Sequence, residues 1–117
     1  MCLTREDPVT VRHFDHGALS IGEFGGGSAG AASEVADIFC ASGVQARAVP
    51  NLLCERWRKL VWNIPFNGLS VSEGGIPVSA ILSDPRRLAL ARELMAEVLA
   101  IAHAEGCEIG TGFAEAN

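Results

Sequence analysis

Lys59, Asn63 and Asn67 recur every four residues inside the apolar segment from Cys54 to Val71. On a helix each step of four advances only about 40°, so the three side chains share one narrow stripe. Trp57, Leu60, Val61, Trp62, Ile64 and Phe66 surround them. An ammonium and two carboxamides held among such neighbours need partners, because unpaired polar groups away from water are costly. A substrate is one such partner, and partial burial would favour the neutral amine. The bland alternative is a solvated helix face along which Lys59 snorkels. Two asparagines on that face count against it, since Asn weakens a helix without local gain.

Other chemistry-bearing groups are weaker candidates. Gly25-x-Gly27-x-x-Gly30 matches a dinucleotide fingerprint, in which backbone amides at a helix start cradle a pyrophosphate. Glu23 just before it would repel a phosphate, and the sequence that follows is too short for a doubly wound sheet. Arg47 is a cation that a 2′-phosphate could meet, yet a lone fingerprint is a weak signal against a plain flexible loop. Cys2, His13 and His16 have metal-binding residue types without a recognised zinc spacing. His13, His16 and His103 lack a carboxylate or thiol partner at a diagnostic spacing. Ser28, Ser33 and Ser70 sit in no nucleophile elbow. Glu93 and Glu97 beside Arg92 read as a solvated face, and Trp57 and Trp62 as core or interface anchors.

The elements that must position the stripe follow from periodicity and punctuation. Met1 to Thr4 reads as a strand end and residues 5–8 as a loop. Thr10–Phe14 and Ala18–Phe24, separated by Asp15-His-Gly17, read as a hairpin. After the glycine loop, Ala31–Ser42 reads as a helix ending at Gly43, with Val35, Ile38 and Phe39 on its apolar face. Val44–Val49 reads as a strand stopped by Pro50. Leu52 to Val71 reads as a helix that Pro65 should kink near Val61. The segment 72–75 breaks it, and Ile76–Leu82 reads as a short helical turn. Asp84 and Pro85 look like the N-cap and first residue of a long helix ending at Gly106. Leu88, Ala91, Met95, Val98 and Ala102 line one of its faces.

Bulk properties narrow the function. A chain of 117 residues holds one small domain's worth of core. At 49% hydrophobic and mean hydropathy +0.26, it is apolar for its size, which suggests that some apolar surface meets a partner or further sequence. A net charge of −5 argues against nucleic acid or an anionic membrane as partner. No apolar run approaches the ~20 residues that span a bilayer. Cys2, Cys40, Cys54 and Cys107 are dispersed, form no CxxC and follow no secretory leader. They read as unpaired cysteines of a reducing, cytoplasmic setting.

Trp57-x-Lys59-Leu60-x-x-Asn63-x-x-x-Asn67 resembles the signature of the 2-dehydropantoate 2-reductase (ketopantoate reductase) family. Residues 3–8, 19–24, 41–43 and the strand to Pro50 follow the order expected upstream of it. The helix with Glu93 to Val98 and Ala102 to Gly106 resembles the family's next long helix. Gly68 stands where proline is usual, and Val9 where glycine is. The resemblance implies an α/β remnant in residues 1–50, the C-terminal part of a Rossmann NADP-binding domain. Residues 51–117 would begin an all-α domain of the 6-phosphogluconate-dehydrogenase-like kind. It implies an enzyme that reduces a 2-oxo acid to the 2-hydroxy acid with NADPH, supplying pantothenate and coenzyme A synthesis. Lys59 would be the catalytic lysine, and Asn63 and Asn67 would bind substrate.

The same resemblance places the main NADPH site upstream of residue 1 and a serine and glutamate of the substrate site after Asn117. No turnover is therefore expected from these residues alone, and the uncovered apolar faces favour self-association. Two rival readings are a non-catalytic helical interaction module and a small nucleotide-binding domain built on Gly25–Gly30.

Overall fold

The computed structural model describes residues 2–15, 17–25 and 30–110, the side chains of Cys2, Leu3 and Asp15 excepted. Its strands are β1 (Cys2–Arg5), β2 (Val11–Asp15), β3 (Leu19–Ile21) and β4 (Ala46–Ala48). Its helices are α1 (Gly30–Ala41), α2 (Leu52–Ser72), α3 (Val78–Ser83) and α4 (Pro85–Ala104). They form two compact units, Met1–Leu52 and Leu53–Asn117.

In the first unit β1 pairs antiparallel with β2, with Thr4 opposite Arg12 and Arg5 opposite Val11. Asp7 closes the turn between them, its Oδ1 accepting the Val9 and Thr10 N–H groups at 2.8 Å. The Val9 bond, with those from Thr10, holds the exposed carboxyl below its ordinary pKa. β3 instead pairs parallel with β4, Ser20 opposite Arg47, and α1 connects the two strands.

The expected hairpin is therefore corrected: β2 takes β1 as its partner, and β3 takes β4. Short alternating strands fit either neighbour, and here the Asx turn at Asp7 favours the earlier pairing. The apolar face of α1 is corrected too. Ala32 and Ala36 are buried, whereas Val35, Ile38 (67%) and Phe39 are exposed. Small side chains let the helix lie close on its two strands, and the large ones point outward. At Gly22 the chain passes so near Val49 and Leu52 that an added Cβ would stand 2.9 Å from the Leu52 Cβ and 3.0 Å from the Val49 carbonyl.

The second unit is helical. Val61, Phe66, Leu69, Ile81, Ala91, Met95 and Val98 form its core, with Trp57, Leu60, Trp62 and Leu94 packed against it. Of the face expected on α4, Ala91, Met95, Val98 and Ala102 are buried and Leu88 is half-buried. Gly74 and Gly75 both adopt positive φ after α2, a conformation that ends a helix without a Cβ penalty. The Ser70 hydroxyl donates to the Ile76 carbonyl at 2.6 Å across that turn. Arg87 bonds Glu73 at 2.7 Å, tying the end of α2 to the start of α4.

Asp84 caps α4 as expected, its Oδ1 accepting from the Arg86 N–H at 2.8 Å and the Arg87 N–H at 3.3 Å, with Pro85 next. Replacing Asp84 by alanine should cost about 1 kcal/mol, the usual worth of such a cap. Urea denaturation read by circular dichroism checks this, and Asp84→Asn should recover most of the loss.

Candidate active site

The sequence-selected stripe lies on α2. The helix is built from strong apolar periodicity and includes Pro65, which is fully buried in the unit's interior. Val61, Pro65, Phe66 and Leu69 turn toward the core. By the helix's 3.6-residue period, Lys59 and Asn63 lie within about 60° of Phe66, the edge of that face nearest the stripe, and Asn67 lies about 100° from it.

Lys59 and Asn67 are exposed and Asn63 is half-buried. The partial burial considered for the lysine is thus corrected: its side chain is exposed even though Trp62 and Phe66 lie on the adjoining part of the helix surface. Trp62 stacks on Phe66 one turn on, ring centroids 4.1 Å apart. That contact ties its indole to the core.

None of the three polar groups bonds or ion-pairs with a described residue. Arg58, next to Lys59 in sequence, is engaged by Glu55 at 2.8 Å, and past the far end of the helix Arg87 bonds Glu73 and Asp84. Lys59 therefore offers an uncompensated positive charge and three donors, and each asparagine offers both donors and an acceptor. Such a set can hold a carbonyl oxygen and a carboxylate or hydroxyl together, and can stabilise charge growing on that oxygen.

His13 is in β2 and His103 is on α4, where His103 meets Glu108 at 3.2 Å on an exposed surface. His16, Gly27 and Ser28 lie outside the described residues, as does the Cys2 side chain. Among the described residues no group of three or more His, Cys, Asp or Glu could hold a metal ion. Also among them, no helix is long and apolar enough to cross a membrane. The Trp57 indole N–H is buried and meets no hydrogen-bond partner among the described residues, while its ring packs against the core.

Sequence reading missed one feature. Cys54, in the first turn of α2, and Cys107, just past α4, form a disulfide with Cα atoms 5.1 Å apart. The expectation of unpaired cysteines is corrected for this pair, while Cys40 is free and exposed. The two residues stand 53 apart in sequence, and only the antiparallel return of α4 along α2 brings them together. No local spacing signals that return.

Strands with one helix in the first unit, followed by helices of which the first long one bears the lysine and amide stripe, define the class. The chain has an α/β N-terminal unit followed by an all-α segment like the helical C-terminal domain of its structural neighbours. The family model "Ketopantoate reductase PanE/ApbA C terminal" matches residues 51–117. The chain belongs to the ketopantoate reductase family.

It is 39% identical to the 2-dehydropantoate 2-reductase of Geobacter metallireducens GS-15 (TM-score 0.89), over 97% of this chain and 38% of that one. The Methylococcus capsulatus 2-dehydropantoate 2-reductase gives 34% identity and a TM-score of 0.86, over 99% and 40%. Among curated relatives, the 2-dehydropantoate 2-reductase of Nostoc sp. strain PCC 7120 is 30% identical over 97% of this chain. This chain spans 37% of that relative's length.

Proposed function

We propose that this chain is the centre of an NADPH-dependent reductase that converts 2-dehydropantoate, or a related 2-oxo acid, to its 2-hydroxy acid for coenzyme A synthesis. Residues 1–50 are the tail of its Rossmann domain, and residues 51–117 begin its helical substrate domain. The observation that carries this reading is the unpaired Lys59, Asn63 and Asn67 stripe on α2, within the segment the family model matches. The exposed Val35, Ile38 and Phe39 support it as well, since a fuller sheet and its helices would cover them.

The described residues do not make a cofactor cradle. A two-stranded parallel pair with one helix is too little for a doubly wound sheet, and Arg47 on β4 already has a partner. The main NADPH site therefore belongs outside these residues, and NADPH supplies the hydride there. Within this chain, Lys59 binds the keto oxygen and delivers its proton as negative charge builds there. Asn63 and Asn67 hold the substrate's hydroxyl or carboxylate so that the carbonyl faces the amine. The enzyme works in the cytoplasm on a small acid.

The 117-residue chain alone should not oxidise NADPH in the presence of 2-dehydropantoate, as followed by absorbance. Measurable turnover would show that the cofactor site has been misplaced. The rival nucleotide-binding reading separates in the same samples: it alone expects NADPH binding that Gly27→Ala weakens.

A further inference from the structure

We propose that Cys54 and Cys107 are a reversible thiol–disulfide modification site, acted on by dithiol reductants, whose state sets the order of the first turn of α2. The sulfurs are bonded. Cys54 is half-buried and lies in the turn that precedes Trp57 and Lys59, whereas Cys107 is only 1% exposed. Cys107 is also held from its backbone, its N–H donating to the Ala102 carbonyl at 2.9 Å. The bridge therefore pins a helix start to a fixed point at the end of α4. Its placement in a reducing cytoplasm rests on the proposed function, and in that setting a disulfide is a redox-responsive group rather than a permanent staple.

Burial decides the order of the exchange. A thiolate of the incoming dithiol attacks the more accessible Cys54 Sγ and forms a mixed disulfide. The protein S–S bond breaks, and Cys107 leaves as a thiolate that takes a proton from water. The reductant's second thiolate then attacks its own sulfur in the mixed disulfide, releasing Cys54, which is protonated in turn. Two electrons pass from the dithiol, now a disulfide, to the cysteine pair; an oxidised thiol reverses the sequence.

Cutting the bridge acts locally. The first turn of a helix has fewer backbone bonds than its middle. In α2 the middle is held separately by the buried Val61, Phe66 and Leu69. Reduction thus releases Leu52 to Glu55, whose carbonyls anchor the backbone up to Lys59, and leaves the core in place. The polar stripe is not chemically altered, but its lysine loses a rigid mount.

The test uses the full 117-residue chain equilibrated with oxidised glutathione or with a reduced dithiol such as thioredoxin. Peptide mapping after alkylation should recover Cys54 linked to Cys107 in the first sample and both blocked in the second. Hydrogen exchange at Arg56 to Lys59 should quicken on reduction by on the order of tenfold or more, with Val61 to Leu69 unchanged. The melting temperature should fall by more than about 10 °C.

Cys107→Ser should reproduce the reduced state under oxidising conditions. If that variant does not fold, the reduced native chain supplies the same comparison. Both cysteines alkylated after oxidation, equal exchange in the two states, or a bridge that dithiothreitol cannot open would each overturn the proposal. These readouts involve neither NADPH nor a 2-oxo acid, so their failure leaves the Lys59 chemistry standing, and the reverse holds.

Discussion

Replacing Lys59 by alanine in a full-length reductase containing this segment is expected to lower kcat by about 10²–10⁴, the usual contribution of a positioned acid. The loss should fall mainly on kcat, because charge on the keto oxygen is greatest in the transition state. Asn67→Ala should behave differently, raising KM for the 2-oxo acid more than it lowers kcat, since an amide that holds substrate acts in both states. Lys59→Arg keeps the charge but cannot surrender a proton at neutral pH, so most of the loss should persist. Steady-state kinetics on the three variants decides the matter. Undiminished turnover in Lys59→Ala would favour the non-catalytic helical module over the reductase.

The second large effect belongs to packing. Ile81 is fully buried on the six-residue α3 and meets the core formed by α2 and α4. Ile81→Ala should cost about 2–5 kcal/mol through lost apolar burial and the cavity left behind. The neighbouring Leu82 is 47% exposed, so its replacement by alanine should shift stability by no more than about 0.5 kcal/mol. Chemical denaturation of the pair tests whether α3 is a core element or a surface turn. Equal losses from both would contradict the arrangement described for α3.

The long helices were legible because their signals are local and redundant. Asp84 followed by Pro85 marks a start, Gly106 marks an end, and Ala91, Met95, Val98 and Ala102 keep one register between them. The lysine and its asparagines were legible for the same reason, since a four-residue spacing fixes a shared face wherever the helix packs. Strand partners were not legible. A three- to five-residue strand has the same alternation whichever neighbour it joins, and the turn at Asp7 acts through an Asx bond rather than through apolar pattern.

On α1, hydrophobicity pointed to Val35, Ile38 and Phe39, but close approach selected Ala32 and Ala36. The exposure of Lys59 was equally hidden. Trp62 and Phe66 flank it on the helix yet pack into the core, so adjacency does not amount to enclosure. The cysteine pair depended wholly on tertiary return.

Gly22 touches no proposed substrate, yet nothing larger than hydrogen fits between it and the Val49–Leu52 corner. A saturation library scored by function would therefore reject substitutions there as firmly as at a reacting residue. That intolerance would report clearance where the last strand gives way to the long helix, and reading it as a second catalytic centre would be a mistake.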